Sequence, residues 1–500
     1  MLSTRSSGIL LHPTSLPGPY GSGDFGHSAF QFVDWLQRTG QTFWQVLPMG
    51  EVGPGNSPYM SSSAFAGSLL LIDIEDLVRH GWLQPADIKP PATLDARRVN
   101  YDAIRGFRLA LLRRAARAFQ GRANPQERAA FLDFCQTEAG WLADYALFMA
   151  IQQQYPGRDW SDWPPALTRR EPEALAAFRN GHAHEIEFWL FCQWRFATQW
   201  FALKQYANQR GVRIVGDVPI FVANQSADVW GHQDLFELDG AGRPLRVAGV
   251  PPDYFSEDGQ LWGNPLYRWE QHRQTGYAWW LARMRHALRY FDLVRVDHFR
   301  GFASYWAVPA DAKTAREGQW LPGPGGHLFE TFQSRFGRLP VIAEDLGLIT
   351  PDVIELRDRF QLPGMRILQF AFGEDERNYF LPHHYVANCV AYTGTHDNDT
   401  SLGWWRSARD HERAFATRYL KLQEGDEIHW KMMEALSSSA ANTVIFPMQD
   451  VLGLGSEGRM NLPGSACGNW EWRFDWEQLA TDQELRLAEM TARHGRKHAS

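Results

Sequence analysis

Short apolar segments that alternate with helical patterns recur along the 500-residue chain. Near-continuous apolar runs are typical of parallel strands that are covered on both faces. A strand, a helix and a second strand within about forty residues form a βαβ unit with parallel strands. The pattern predicts an α/β fold, a (β/α)8 TIM barrel with largely helical insertions. The eight predicted strands are residues 8–11, 42–48, 212–217, 293–296, 340–345, 365–370, 389–397 and 443–447.

We expect residues 1–500 to form a single catalytic (β/α)8 barrel. Within it, residues 75–209 are polar and have helical periodicity, most clearly over 101–119 and 185–206, which predicts a largely helical insertion. Residues 248–265 are rich in glycine, proline and aromatic residues, and they predict a long loop that borders the active site. We find no fixed-period repeat in the sequence.

The charge and the cysteines exclude several classes of protein. A formal net charge of -7 gives no reason to expect nucleic acid or an anionic membrane as a partner. The four cysteines are far apart with no CxxC spacing, which favours a reducing compartment over a disulfide or zinc framework. The N-terminus does not resemble a signal peptide, and no apolar run is long enough to span a bilayer, so we expect a cytoplasmic protein.

The 22 tryptophans and 31 phenylalanines are the unusual part of the composition. Flat aromatic rings stack on the apolar faces of sugars as readily as on each other, so these numbers point to carbohydrate. A large core that is rich in tryptophan would explain the same numbers. Composition alone leaves both explanations open.

One predicted strand, residues 293–296, runs directly into a carboxylate. Arg295 and Asp297 are two residues apart, so their side chains emerge on the same face of an extended strand. A neighbouring cation keeps a carboxylate ionised, which is the state that a carboxylate nucleophile requires near neutral pH. A purely structural ion pair at a barrel rim is the alternative.

Four acids, Asp217, Asp297, Glu344 and Asp397, each stand at the end of a predicted strand. The carboxyl ends of the strands and the loops after them form the active site of a β/α barrel, so we expect all four at one rim. A helix N-cap is the alternative use of such an acid, above all for Asp217. Two carboxyls across a glycosidic bond are the minimum for glycoside chemistry. The pairing of Asp297 with Arg295 suggests one ionised nucleophile and, in Glu344, one acid of raised pKa.

Metal binding is a competing use of these residues, because His298 and His396 adjoin Asp297 and Asp397. The chain has no HExxH motif, and no close histidine pair adjoins these acids. Adjacent residues of a strand also point to opposite faces. We therefore expect no metal and no cofactor, and we expect the histidines to hydrogen-bond sugar hydroxyls.

Several segments resemble those of a known family. Residues 295–297, Glu344 and residues 396–398 resemble the three signature segments of the α-amylase clan. Longer segments resemble glycoside hydrolase family 77, the 4-α-glucanotransferases or amylomaltases, and the likeness runs from about residue 8 to about residue 475. The segments are residues 57–59, 63–67, 248–265, 459–464 and 469–473.

The resemblance implies roles for particular residues. Asp297 would be the nucleophile, Glu344 the general acid/base and Asp397 the residue that stabilises the transition state. The implied reaction moves α-1,4-glucan segments from a donor to the 4-hydroxyl of an acceptor glucan or glucose, by a retaining double displacement through a covalent glycosyl-enzyme. Substrate contacts are implied for Tyr59, Asp217, Arg295, His396, Tyr254, Phe255, Trp262, Ser57 and Asn461.

The resemblance also sets expectations about the partners of the protein. Residues 248–265 would act as a lid that keeps water from the intermediate, with an ordinary structural excursion as the alternative. Partners would be maltooligosaccharides and α-1,4-glucans, with no nucleic acid and no membrane, and the chain would be a monomer or a weak homodimer. Because it lacks the N-terminal extension of longer relatives, we do not expect it to bind starch granules. An α-glucan hydrolase of the α-amylase clan and a non-catalytic glucan-binding barrel are the alternative functions.

Overall fold

The computed structural model describes residues 2–252, 257–373, 375–465 and 467–497. The strands in this part of the chain are β1 (Ser6–Leu10), β2 (Phe43–Gln45), β3 (Arg213–Pro219), β4 (Arg246–Val250), β5 (Gln260–Pro265), β6 (Leu293–Asp297), β7 (Ser304–Pro309), β8 (Gln319–Pro322), β9 (Val341–Ala343), β10 (Gly364–Ile367), β11 (Cys389–Tyr392) and β12 (Thr443–Pro447).

Eight of these strands form one parallel sheet in the order β10-β11-β12-β1-β2-β3-β6-β9. The amide of Ala343 in β9 donates to the carbonyl of Pro363, next to β10, at 2.9 Å. This contact joins the two edge strands and closes the sheet into a barrel. Each of the eight predicted strands overlaps one strand of this sheet, and the prediction of a (β/α)8 TIM barrel is confirmed.

Some strands end earlier at the barrel rim than the apolar pattern predicts, whereas β3 and β6 continue to Pro219 and Asp297. Residues 365–370 stop pairing after Ile367, and a short 3-10 helix follows. Residues 389–397 stop pairing after Tyr392. There the amide and the hydroxyl of Thr395 both donate to Oδ1 of Asn398 at 2.9 Å, which folds the chain into a turn. Side chain to backbone bonds of this kind compete with strand pairing.

A second, antiparallel sheet has the order β5-β4-β7-β8. Its strands β4 and β5 occupy the two ends of segment 248–265, which the glycines and prolines predict to be a continuous loop. Gly249 allows these strands to approach closely, because a Cβ atom there would stand 2.4 Å from the carbonyl oxygen of Gln260. Here glycine permits a strand pair instead of marking a loop.

The helices surround the barrel. In the described part of the chain they are α1 (His27–Arg38), α2 (Ile74–Arg79), α3 (Tyr101–Arg122), α4 (Pro125–Thr137), α5 (Ala139–Gln154), α6 (Pro165–Thr168), α7 (Pro172–Gly181), α8 (Ala183–Gln209), α9 (Ala227–Gly231), α10 (Trp269–Gln274), α11 (Ala278–Tyr290), α12 (Gly326–Phe336), α13 (Pro351–Arg359), α14 (Ser401–Ser407), α15 (Asp410–Leu420), α16 (Ile428–Ser438), α17 (Met448–Val451) and α18 (Thr481–Arg493). None of these helices is long and apolar enough to cross a membrane.

Helices α2 to α8 lie between β2 and β3, in the region of the predicted insertion. The longest of them, α8, fixes the segment that follows β2. The side-chain amide of Gln193 bonds both the N–H and the carbonyl of Gly67, each at 2.8 Å. Gln199 bonds the N–H of Asp73 at 2.8 Å and its carbonyl at 3.1 Å. The limits of the insertion, residues 75–209, remain a prediction.

Many of the tryptophans belong to the hydrophobic core. Seven of them are fully buried, namely Trp35, Trp44, Trp82, Trp160, Trp200, Trp230 and Trp280. The core therefore accounts for a large part of the aromatic composition. Only the aromatic residues that line an opening remain candidates for contact with sugar.

Candidate active site

The four acids that end predicted strands meet at one rim of the barrel. Asp217 lies in β3, Asp297 is the last residue of β6, and Glu344 directly follows β9. Strands β3, β6 and β9 are neighbours, and their register places Arg295 opposite both Asp217 and Ile342. Asp397 lies in the loop after β11.

Arg295 connects two of these acids. Its Nη1 donates to Oδ2 of Asp217 at 2.5 Å, and its Nη2 donates to Oδ1 of Asp297 at 2.8 Å. The side chains of Arg295 and Asp217 are buried, whereas that of Asp297 is 27% exposed. The buried cation thus lies beneath Asp297, which reaches the opening. Burial raises the pKa of Asp217 to about 7, and the charge of Arg295 opposes this rise.

Glu344 is held by the backbone. Its Oε2 accepts from the N–H of His298 at 2.7 Å, and its Oε1 accepts from the N–H of Leu346 at 2.9 Å. His298 adopts the left-handed conformation, with φ of 52°, which a non-glycine residue rarely does. Burial, and after it the negative charge of Asp297, raise the pKa of Glu344 to about 8. The two carboxyls therefore lie in different environments, because Asp297 is bonded to a cation and Glu344 has a raised pKa.

Asp397 is the most open of the four acids, with a side chain that is 44% exposed. Its Oδ1 accepts from Nδ2 of Asn461 at 2.6 Å, and its Oδ2 lies 3.4 Å from Nε2 of His396. The guanidinium of Arg459 donates to the main-chain carbonyl of Asp397 at 2.7 Å. Asn461 and His396 therefore direct the carboxylate, and Arg459 holds the main chain that carries it.

Tyr59 joins the two halves of the rim. Its hydroxyl donates to Oδ2 of Asp217 at 2.9 Å and lies 2.9 Å from Nε2 of His396. The rings of Tyr59 and His396 stack at a centroid distance of 5.5 Å. Burial raises the pKa of Tyr59 well above its usual range and lowers that of His396, so both rings stay neutral. Ser57 positions Tyr59, because Oγ of Ser57 accepts from the N–H of Tyr59 at 3.3 Å.

The same family emerges when the chain is compared with known proteins. A family model described as 4-alpha-glucanotransferase matches residues 11–479. A 4-alpha-glucanotransferase of Thermus thermophilus is 50% identical, over 97% of this chain and 98% of its own length. The chain belongs to the 4-alpha-glucanotransferase family.

Two further relatives agree with this assignment. A 4-alpha-glucanotransferase of Synechocystis is 47% identical over 99% of both chains. The structure of an amylomaltase from Streptococcus agalactiae, in complex with acarbose, matches with a TM-score of 0.96 at 39% identity. It covers 99% of this chain and 100% of the solved one. The resemblance inferred from the sequence motifs is confirmed, and the protein is an enzyme of the 4-alpha-glucanotransferase type.

The aromatic residues that the family resemblance assigns to segment 248–265 are only partly described. Trp262 lies in β5 and is partly exposed. Its ring meets that of His298 edge to face at 4.8 Å, so it stands beside the residue that binds Glu344. Tyr254 and Phe255 fall in residues 253–256, outside the described part of the chain.

Sequence reasoning missed several residues of this 4-alpha-glucanotransferase site. Trp470 lies 5.8 Å from the ring of Tyr59 and 5.7 Å from that of His396. Arg459 holds the main chain of Asp397 and lies in segment 459–464. That segment carries the family resemblance, but the sequence assigned no role to Arg459. The sequence predicts that the ring of His298 bonds sugar hydroxyls, whereas the structure shows that its main-chain N–H donates to Glu344. Among the described residues, no group of three or more His, Cys, Asp or Glu could hold a metal ion.

Proposed function

We propose that Asp297, Glu344 and Asp397 carry out a retaining double displacement that moves α-1,4-glucan segments between maltooligosaccharides. The observation that carries the proposal is the contrast between two carboxyls at the rim. Asp297 is bonded to the buried Arg295, whereas burial and the charge of Asp297 keep Glu344 protonated. A retaining glycosidase requires this pair, a nucleophile and a general acid.

In the first half-reaction, Asp297 forms a bond to the anomeric carbon of the donor. Its Oδ1 accepts from Arg295, and Oδ2, which accepts no hydrogen bond among the described residues, is the attacking atom. The bond between the anomeric carbon and the glycosidic oxygen breaks, and Glu344 gives its proton to that oxygen. The products are a covalent glycosyl-enzyme and a shortened glucan with a free 4-hydroxyl.

In the second half-reaction, the ionised Glu344 takes the proton of an acceptor 4-hydroxyl. The acceptor oxygen attacks the anomeric carbon, the ester to Asp297 breaks, and an α-1,4 bond forms again. Asp397 would hold ring hydroxyls in a geometry that favours the oxocarbenium-like transition state. Its two oxygens are held near Asn461 and His396, so the carboxylate is oriented before the substrate binds.

The substrate-binding roles of the other rim residues remain part of this proposal. We assign roles in substrate binding to Tyr59, Asp217, Arg295, His396, Trp262, Ser57 and Asn461. Arg295 and Asp217 are buried, so they would act mainly by holding Asp297 and Tyr59. We further propose a cytoplasmic location, which is supported by the absence of a disulfide among the cysteines of the described chain. A monomer or weak homodimer stays a prediction.

Incubation with maltotriose alone tests the proposed transfer. We expect a ladder of longer and shorter glucans together with free glucose, and no net gain of reducing ends. Replacing Trp262 by alanine opens the site beside Glu344 to water, so we expect the share of hydrolysis to rise several-fold. Reducing-end assay and chromatography of the products give both quantities. Substituting Trp320, a 37% exposed tryptophan in β8, is the matched control.

Two results would contradict this account. New reducing ends in proportion to every bond broken would indicate an α-glucan hydrolase of the same clan. An unchanged ratio of hydrolysis to transfer in Trp262→Ala, with the same ratio in Trp320→Ala, would remove segment 248–265 as a lid.

A further inference from the structure

A large cavity lies between helices α5, α9 and α11, away from the four rim acids. Its volume is about 500 Å³, within the roughly 300–1,000 Å³ that small-molecule sites occupy. Small residues create the space, because Gly140, Ala278 and Ala282 line it where bulkier side chains would fill the contact between the helices. A Cβ atom built on Gly140 meets no other atom within 4 Å.

One wall of this cavity is aromatic. The rings of Phe65 and Trp141 stack in parallel, with centroids 5.9 Å apart and planes at 12°, and both side chains are partly exposed. Nε1 of Trp141 donates to Oε2 of Glu138 at 2.6 Å, which fixes the plane of the indole. Trp279 lines the cavity from α11. A rigid aromatic surface of this kind suits the flat apolar face of a pyranose ring.

The lining of the cavity also contains polar side chains. Within the described chain, the exposed side chains of Arg285 and Asp234 make no hydrogen bond or ion pair, so both can bind a ligand. An arginine donates to hydroxyl oxygens and a carboxylate accepts from hydroxyl hydrogens, and a sugar offers both.

The charge of the lining argues against an anionic ligand. Asp144 pairs with Arg170 and Glu138 pairs with Arg289, so these charges compensate each other. The unpaired Arg285 and Asp234 carry one charge of each sign, and the buried Asp228 adds a further carboxyl, so the lining has no excess of cations. Burial lowers the pKa of His286 to about 3, so this ring adds no positive charge at neutral pH. The lining therefore disfavours phosphates and carboxylates and accepts a neutral polyhydroxylated molecule.

We propose that this cavity is a non-catalytic binding site for one or two glucose units of an α-glucan. Its place supports a glucan as the occupant, since Ser63, Phe65 and His286 also line a smaller cavity of about 80 Å³ that reaches Tyr59 and Asp217. The N–H of Ala64, in the same segment, donates to Oδ2 of Asp228 at 2.7 Å. The bound sugar would contact the segment that follows Tyr59 in the sequence. Residues of this segment separate the large cavity from the smaller one that reaches the rim.

Equilibrium dialysis with radiolabelled maltose tests this site. The Asp297→Asn variant serves as the background, because it is expected to bind glucan without turning it over. Adding Gly140→Trp fills the cavity from a helical position with open space around it. We expect this variant to bind one mole of maltose less per mole of protein at saturation. The matched control is Gly106→Trp in α3, where a Cβ atom also meets nothing within 4 Å.

A second variant makes the test independent of filling the space. Arg285→Ala removes an unpaired donor from an exposed helix position, and we expect it to weaken the same binding event about tenfold. Equal amounts of bound maltose in the Gly140→Trp and Gly106→Trp proteins would overturn the proposal. In the chain with Asp297 restored, Gly140→Trp should keep the maltotriose ladder, so failure of this site and failure of the catalytic proposal are separable.

Discussion

Replacing Asp297 by asparagine is expected to lower kcat for transfer from maltotriose by roughly 10⁴-fold or more. Asparagine keeps the shape of the side chain but cannot form the ester to the anomeric carbon. Its side-chain oxygen can still accept from Nη2 of Arg295, so the rim should keep its geometry. Initial rates from glucose release give the measurement, and thermal unfolding monitors the fold.

Asp410→Asn is the control for this substitution, because that carboxylate is 97% exposed on α15. It should keep the activity of the parent enzyme. Transfer by Asp297→Asn at more than about a tenth of the parent rate, with an unchanged melting temperature, would show that another residue is the nucleophile.

Glu344→Gln is expected to lower transfer between maltooligosaccharides by roughly 10²–10⁴-fold. The amide can neither protonate the leaving oxygen nor take the proton of the acceptor. In the parent enzyme, kcat/KM for the donor should fall as the pH rises through about 8, because Glu344 then loses its proton. The variant should lack this alkaline limb, which a pH profile of initial rates would show.

The same substitution has a consequence for stability. Because the pKa of Glu344 is raised from 4.5 to about 8 on folding, the folded state binds more protons than the unfolded state between these values. The stability that this group contributes is present below pH 4.5 and is lost as the pH rises through about 8. The melting temperature of Glu344→Gln relative to the parent should therefore rise from pH 5 to pH 8. If the difference in melting temperature between the variant and the parent stayed constant from pH 5 to pH 8, Glu344 would already be ionised in the folded protein at pH 5.

The barrel could be predicted because its parallel strands are apolar runs whose length and order suffice to identify them. The second sheet could not be predicted, because Gly249 and the prolines between β4 and β5 are typical of a loop. Only the pairing of β4 with β7, which is distant in the sequence, makes this segment a strand. The partner of a short, exposed strand such as β8 is set by the three-dimensional arrangement, and the local sequence pattern gives little sign of it.

The candidate site could likewise be predicted from the sequence only in part. The position of an acid at a strand end predicts which rim it joins, and Asp217, Asp297 and Glu344 follow this rule. The contacts of Tyr59 with Asp217 and His396 join residues that are 158 and 337 positions apart, so no spacing could predict them. The left-handed conformation of His298 also escaped prediction, because residues other than glycine rarely adopt it.

Detection of the covalent glycosyl-enzyme is the measurement that tests the central claim most directly. In Glu344→Gln, α-maltotriosyl fluoride can still react at Asp297, because fluoride leaves without protonation. Glutamine cannot activate the acceptor, so the intermediate should accumulate. Mass spectrometry after an acid quench should find one maltotriosyl group per chain, attached to Asp297. A maltotriosyl group on any other residue, or release of fluoride with the chain unmodified, would contradict the account.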